Sequence, residues 1–472
     1  MGQKTMAHQF HRSILREYDV RGVVGKTLGP ADAYAIGRSF ATVLRRAGGR
    51  AVAVGRDGRL SSPELEAALV EGLLASGVDV VRIGLGPTPM LYYAEATLPE
   101  VQGGIQVTGS HNPGDHNGFK IVLGGLPVCG DDLQHLGRLA AAGDWLSGHG
   151  REEPREILGA YVSRLTVGLA GIGDDRLAGL RIGWDAGNGA AGPALERLTQ
   201  QLPGEHHLLF TQVDGTFPNH HPDPTVEANL DDLRALVAAK SLHFGVAFDG
   251  DGDRIGAVDA TGRVIWGDQL LMIFAEDLLA RLPGSTIVAD VKATGLLFDR
   301  IATLGGQPHM WKTGHSLIKS EMKRIGAPLG GEMTGHVCFA DDFYGFDDAL
   351  YAAVRLIAAS VRLGRSVTDL RSAIPDVVNT PELRFEVDDT RKFEVVEEVR
   401  DRLERAGAAV NPIDGVRVTT PDGWWLLRAS NTQDVLVVRA ESRDQAGLER
   451  LLAEVDAQLA LSGVSRGPQV AH

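Results

Sequence analysis

The sequence predicts an α/β protein: three topologically related α/β domains with mixed sheets, followed by a C-terminal α+β domain. Three observations carry this prediction. Short β-rich runs alternate with longer segments of helical period, the pattern of βαβ units. A strand–Asp–turn–helix unit recurs at Asp57, Asp185 and Asp290. In the last hundred residues, strands instead follow one another closely, as in antiparallel sheet.

Taken in order, Ala51–Gly55 (AVAVG) reads as a strand and Arg56–Ser62 as its turn. Pro63 opens a helix whose Leu65, Leu69 and Leu73 share one side. A strand follows at Val78–Ile83, and Gly104–Val107 reads as another. The second unit runs from Leu180–Trp184 through Asp185 to a helix near Pro193–Gln201, and Phe244–Phe248 is a further strand. The third runs from Thr286–Ala289 through Asp290 to a helix near Leu296–Leu304. In the tail, strands at Leu383–Val387, Val416–Thr419, Trp424–Arg428 and Val435–Arg439 accompany two amphipathic helices. One is marked by Phe393, Val396, Val399 and Leu403, the other by Leu448, Leu451, Leu452, Val455 and Leu459. Turn residues cluster near Gly148–Glu153, Asp259–Gly262 and Pro375–Pro381, which are read as linkers. The expected domains are 1–155, 156–261, 262–376 and 377–472.

The chain of 472 residues carries 47 Lys plus Arg against 61 Asp plus Glu, a net charge of −14. That balance disfavours nucleic acid and anionic membrane as partners, while leaving room for a local basic pocket that binds a small phosphate. Two cysteines, Cys129 and Cys338, are too few for a disulfide framework and are read as reduced thiols. No apolar run approaches the roughly 18 residues of a membrane helix, and the first residues lack an apolar signal core. A cytoplasmic location is expected.

Four loops concentrate chemistry. Thr108-Gly109-Ser110-His111-Asn112-Pro113 follows a strand and so sits at its C-terminal end, where open α/β sheets bind ligands. Gly109 lets the backbone turn beside Ser110, whose hydroxyl could be a nucleophile or phosphate carrier. Lys120 adds a cation close by. Asp249-Gly250-Asp251-Gly252-Asp253-Arg254 places three carboxylates, spaced by glycine, where they can converge on one hard cation. An EF-hand is excluded, because its sixth position is Arg254 and its twelfth Ala260. Three carboxylates leave coordination positions open, as suits magnesium shared with a phosphate, and Arg254 could pair with that phosphate. Gly331-Glu332-Met333-Thr334-Gly335-His336 offers a carboxylate, a hydroxyl and an imidazole to sugar hydroxyls. Arg428-Ala429-Ser430-Asn431-Thr432 offers donors that can enclose a phosphate dianion.

Together and in this order, TGSHNP, DGDGDR, GEMTGH and RASNT resemble the four active-site loops of the α-D-phosphohexomutases, and in particular the bacterial phosphomannomutase/phosphoglucomutase subgroup. The resemblance covers nearly the whole chain, from Arg16-Glu17-Tyr18 to Val435–Arg439. It implies four domains around a central cleft, one loop from each. It implies phosphorylation of Ser110, with Asp249, Asp251, Asp253 and the phosphate on Ser110 holding Mg2+. Glu332 and Thr334 match the sugar-recognition loop. Arg428, Ser430, Asn431 and Thr432 match the loop that holds the non-reacting phosphate. Tyr18, Arg21, His111 and Lys120 match cleft-lining residues, as do Arg254, Lys292, His315 and His336. Lys120, His315 and His336 are the candidate bases.

The implied reaction moves a phosphoryl group between O1 and O6 of glucose and mannose phosphates through a hexose 1,6-bisphosphate, which also serves as activator. The expected partners are hexose phosphates alone, with the chain a monomer or a dimer. Two departures stand out. Thr334 replaces the usual Ser, adding a methyl beside the sugar, and Gln433-Asp434 stand where the family often has Pro. Three rivals are a phosphoglucosamine mutase, a Mg-dependent sugar phosphatase and a non-catalytic sugar-phosphate binder. The first is disfavoured by Tyr18-Asp19-Val20 and by Met333, the third by the intact Ser110, carboxylate triad and Lys120.

Overall fold

A computed structural model describes residues 7–430 and 435–465. Four sheets follow one another along the chain. In the first, strands lie in the order Val20–Val23, His116–Leu123, Gly103–Val107, Ala51–Arg56, Asp79–Leu85, Glu152–Pro154, and Leu126–Pro127 pairs with His116–Leu123. The second runs Val264–Ile265, Ile255–Asp259, Phe244–Phe248, Arg181–Asp185, Glu205–Leu209. The third runs Gln307–Trp311, Thr286–Asp290, Leu329–Gly331, Val337–Phe339.

The same four-strand unit sits in each of these sheets. A strand ending at or beside an aspartate (Asp57, Asp185, Asp290) pairs in parallel with a neighbour on either side. One of those neighbours turns back through a hairpin into an antiparallel strand. The three hairpin turns hold residues 108–115, 249–254 and 332–336, so three of the four chemically loaded loops occupy one equivalent position. Mixed sheets result, because each βαβ unit is followed by an antiparallel return. The recurrence expected from the sequence is therefore a repeat of topology.

The fourth sheet is wholly antiparallel, in the order Val378–Asn379, Val435–Ser442, Gly423–Ala429, Val416–Thr420, Ala409–Asn411, with Leu383–Glu386 also on Val435–Ser442. Helices Asp389–Arg405 and Gln445–Leu461 cover it.

Two of the expected linkers are edge strands in part, at Glu152–Pro154 and Val378–Asn379. The third, Asp259–Gly262, is the turn of a hairpin: Gly262 N–H donates to Asp259 O, and Asp259 Oδ1 collects Thr261 and Arg263. The chain leaves the second sheet only after Ile265. The helix Asp389–Arg405 is also rotated from its expected face. Val395, Val399 and Leu403 are buried, whereas Phe393 is half exposed.

Packing separates the molecule into two masses. One apolar cluster runs through the first three sheets, from Leu91 past Trp184 to Phe274 and Tyr351. The helices Gly267–Arg281 and Ala349–Leu363 lie in it, buried over most of their surface and apolar on nearly all sides, as interior helices are. The fourth sheet has its own core around Val395, Trp425, Leu427 and Val438. The two masses meet at a small cluster of Val291, Trp424 and Leu426.

Candidate active site

A cavity of about 1210 Å³ opens where the four sheets converge. Tyr18, Ser110, Arg254, Glu332 and Arg428 line it, so every sheet contributes. Ser110 has φ +50°, a left-handed conformation uncommon for a residue with a side chain. Its N–H donates to Thr108 Oγ1 at 2.9 Å. Its hydroxyl donates to Asp249 Oδ2 at 3.1 Å and lies 3.2 Å from His111 Nδ1. Burial, then the nearby Arg254, Arg21 and Lys120, hold His111 well below the usual histidine range, so its imidazole is neutral.

The three carboxylates of the acidic loop are fully buried, with one ligand atom of each within 4.8 Å of the others. The loop curls around Asp249, whose Oδ1 accepts the N–H groups of Asp253 and Arg254, both at 3.1 Å. Thr88 Oγ1 donates to Asp251 Oδ2 at 2.5 Å. Lys120 Nζ bridges Asp251 Oδ2 at 2.7 Å and Asp253 Oδ2 at 2.5 Å. Burial would lower Lys120, but the Asp251 and Asp253 carboxylates outweigh it and keep its ammonium charged far above neutral pH. In this arrangement Lys120 is a cation clamp with no lone pair to accept a proton.

Two oxygens, Asp251 Oδ1 and Asp253 Oδ1, are buried without a hydrogen-bond partner. Unsatisfied carboxylate oxygens in a dry site are costly, and a hard divalent cation is the group they fit. Burial and then the Asp251 and Asp253 charges push Asp249 well above the usual carboxylate range, a further sign of excess negative charge. The acidic cluster thus fits a metal ion.

Arg254 joins this loop to the third. Its Nε donates to His336 Nε2 at 2.9 Å, and Ile255 N–H donates to Gly335 O at 3.1 Å. His336 stacks on His315 with ring centroids 4.6 Å apart, and both rings turn Nδ1 to Asp347, at 2.9 and 2.8 Å. Lys319 Nζ lies 2.6 Å from the same carboxylate. Burial, then Lys319, lower the His315 pKa. Glu332 Oε1 accepts Gly314 N–H at 2.7 Å, and Met333 N–H is held by Asp290 at 3.1 Å. Thr334 lines the cavity, partly exposed. Tyr18 closes over Gly314, where a Cβ would stand 2.5 Å from its ring, and donates to Thr313 O at 2.7 Å. Arg21 pairs with Asp19 and donates to Asn112 Oδ1 at 3.0 Å.

On the far side Arg428 Nε donates to Asp414 Oδ2 at 3.1 Å, and that oxygen also accepts Thr313 N–H at 3.0 Å. Ser430 is buried and lines the cavity. Asn431 and Thr432, with Gln433 and Asp434, lie outside the described residues. Lys292 Nζ reaches Glu382 Oε1 at 2.9 Å. Every predicted site residue that is described lines this one cavity or, like the carboxylate triad, sits at its floor. Four contributors were not foreseen: Thr88, Asp347, Glu382 and Asp414. None stands in a marked loop, and each is recognisable only by the partner it meets across the fold.

Sequence profiles of the four phosphoglucomutase/phosphomannomutase domains match this chain: alpha/beta/alpha domain I over residues 12–146, domain II over 160–262, domain III over 266–378, and the C-terminal domain over 382–458. The chain is 45% identical over 440 residues to a phosphomannomutase/phosphoglucomutase of Pseudomonas putida, covering 93% of this chain and 94% of that one. It is 42% identical to a phosphoglucomutase of Neisseria gonorrhoeae, covering 93% and 95%. Among solved structures, a phosphoglucomutase/phosphomannomutase family protein from Burkholderia thailandensis superposes with a TM-score of 0.89 at 44% identity, over 96% of this chain and 98% of that chain. Fold and loops together define a four-domain phosphohexomutase architecture. The chain belongs to the phosphoglucomutase/phosphomannomutase family.

Proposed function

We propose that this protein is a reversible hexose-phosphate mutase, moving a phosphoryl group between O1 and O6 of glucose and mannose phosphates. The observation that carries the reading is Ser110. Its hydroxyl lies 3.1 Å from one of three converging buried carboxylates, in a cleft entered by a loop from each sheet. Phospho-Ser110 gives its phosphoryl group to the free hydroxyl of a hexose monophosphate; the resulting hexose 1,6-bisphosphate turns over and returns its other phosphate to Ser110. A cavity of about 1210 Å³ exceeds the roughly 300–1,000 Å³ of ordinary small-molecule sites, room that supports such a turn.

Asp249, Asp251 and Asp253 would hold Mg2+, which neutralises charge on the transferring group when bound. Arg254 and Lys120 add positive charge on the same side. Glu332 and Thr334 take sugar hydroxyls. Arg428, Ser430, Asn431 and Thr432 hold the distal phosphate, with Lys292 and Tyr18 beside them, while Arg21, hydrogen-bonded to Asn112, adds its charge on the Ser110 side. His315 serves as the base: Nδ1–H donates to the Asp347 carboxylate, its nearest Nδ1 partner, which fixes the tautomer that leaves the Nε2 lone pair free. Lys120 is already engaged as an ammonium, and His336 Nε2 already accepts from Arg254.

No described helix is long and apolar enough to cross a membrane. A monomer fits this surface better than a dimer, since exposed large apolar residues such as Leu60, Val167, Leu282 and Leu461 are spread over all four domains; a cytoplasmic setting belongs to the same proposal. The test is a coupled assay for glucose 6-phosphate from glucose 1-phosphate with a trace of glucose 1,6-bisphosphate. Activity lost in Ser110→Ala, and one phosphate per chain mapped to Ser110, are expected. A phosphate on another residue, or release of free phosphate by Ser110→Ala at the wild-type rate, overturns the reading.

A further inference from the structure

The Ser110 loop is gripped from behind by a side chain that lines no part of the cleft. Arg59 is fully buried, and all five of its guanidinium N–H groups are committed. Nη2 donates to the carbonyls of Ser110 and Asn112, both at 2.6 Å. Nη1 donates to those of Pro113 at 2.6 Å and His116 at 3.0 Å. Nε donates to Asp57 Oδ2 at 3.1 Å. That carboxylate in turn accepts Gly109 N–H at 3.1 Å, Thr108 Oγ1 at 2.9 Å and Ser62 Oγ at 2.5 Å. The guanidinium charge is therefore balanced where it stands.

The fit is tight on both sides. A Cβ at Gly109 would stand 2.4 Å from the guanidinium carbon. From the second domain, Phe217 lies with its ring centroid 5.3 Å from that carbon, and a Cβ at Gly215 would stand 2.7 Å from Arg59 Cα. Ser110 is held at φ +50°, a conformation that persists in a non-glycine residue only when its surroundings over-determine it. Asp290 grips the third loop in the same way, through Met333 N–H, from the equivalent strand end.

We propose that Arg59 is a positioning residue for phosphoryl transfer: by gathering four carbonyls of one hairpin, three in its turn and one at the start of its return strand, with Asp57 and Phe217 holding its guanidinium in place, it fixes Ser110 in the left-handed conformation that aims Oγ at the acidic loop. The proposal rests on the reading of Ser110 as phosphoryl carrier. Lysine cannot replace the fork, because one ammonium cannot reach four carbonyls in a plane.

The test compares wild type, Arg59→Lys and Phe217→Leu, with rates expressed per folded molecule from thermal unfolding. Phosphorylation of Ser110 by glucose 1,6-bisphosphate is followed by intact mass, beside kcat and KM for glucose 1-phosphate. Arg59→Lys should unfold cooperatively, keep KM within about threefold, and slow both kcat and Ser110 phosphorylation about 100-fold, the scale of a 1 Å misplacement. A purely structural Arg59 would lower the folded fraction and leave the rate per folded molecule unchanged; that result overturns the proposal. Should Arg59→Lys not fold, Phe217→Leu decides: loss of the ring should slow phosphorylation about two- to fivefold at unchanged KM, and a wild-type rate overturns the proposal. Phosphate mapped away from Ser110 in wild type would instead remove the reading beneath it.

Discussion

Asp251 Oδ1 and Asp253 Oδ1 are buried without a hydrogen-bond partner, with His336 Nδ1 3.6 Å from the latter, while Lys120 occupies the opposite oxygens of the same two carboxylates. The triad thus keeps a face open for a cation without losing its internal counter-charge. Asp251→Asn removes one ligand and half of the Lys120 bridge. We expect kcat to fall about 10²–10³-fold, the scale of one lost transition-state electrostatic contact, with KM for glucose 1-phosphate within a few-fold, because the proposed function assigns ground-state grip to the Arg428 side of the cleft. Full activity of this variant in EDTA-treated buffer would reduce the loop to a turn. Thr334 poses a finer question, since it lines the cavity beside Glu332 and carries a methyl that serine lacks. Both glucose 1-phosphate and mannose 1-phosphate should be turned over, with kcat/KM values within about two orders of magnitude. One methyl clash or one missed hydrogen bond is worth about 1–3 kcal/mol, or 10–200-fold. Thr334→Ser should bring the two values closer; an unchanged ratio clears the methyl, and no detectable reaction with one epimer refutes dual specificity.

At the scale of elements, the first and second domains meet where two hairpin loops touch. A Cβ at Gly250 would stand 2.5 Å from the Ser110 carbonyl oxygen, a backbone atom that cannot swing aside. Gly250→Ala should therefore force the acidic loop away from Ser110. Strain of this kind costs about 1–3 kcal/mol, and a shift near 1 Å about 100-fold in turnover. A modest fall in Tm with a large fall in kcat is expected, and wild-type kcat would show that the loops part without consequence. Such local geometry was partly legible in the sequence. Glycine-spaced aspartates after an apolar strand can only curl, and Ser110 after Gly109 can only sit on a turn. The repeated Asp57, Asp185 and Asp290 announced three like units, because strand, acid and helix follow within a dozen residues. The rotation of Asp389–Arg405 was not legible: Phe393 and Val395 both fit a helical stripe, and only the sheet beneath selects Val395. Nor was the hairpin at Asp259–Gly262, since Asp-Ala-Thr-Gly reads equally well as linker or turn. The partners Thr88–Asp251, Phe217–Arg59 and His315–Asp347 stand 163, 158 and 32 residues apart. No local pattern encodes them.

Across the whole molecule, the fourth domain has a separate core and is attached to the third through the small apolar cluster of Val291, Trp424 and Leu426 and a set of polar contacts around it. Arg417 Nη1 donates to the carbonyls of Val291 and Ala293, flanking Lys292, and its guanidinium lies 3.7 Å from the Trp424 ring centroid. Glu441 accepts from Thr294, Gly295 and Trp424. Lys292 itself reaches across to Glu382. The Lys292 charge holds Glu382 down to about 2, against an ordinary 4.5. A depressed carboxylate contributes stability that is present above its unfolded pKa and lost as pH falls toward its folded pKa. The window is therefore about pH 4.5 down to 2, and 1.36 kcal/mol per unit sets an upper bound of about 3 kcal/mol on the contribution at neutral pH. Glu382→Gln should thus lower the Tm of the step that exposes the third–fourth junction most at pH 7. The gap to wild type should narrow as pH drops below 4.5. Hydrogen exchange at the Val291–Gly295 amides, read at pH 7 and pH 3.5, reports the same opening: the variant should exchange faster than wild type at pH 7 and by a smaller margin at pH 3.5. A gap that stays constant between those two values would mean that Glu382 is not the charge that ties the fourth domain to Lys292.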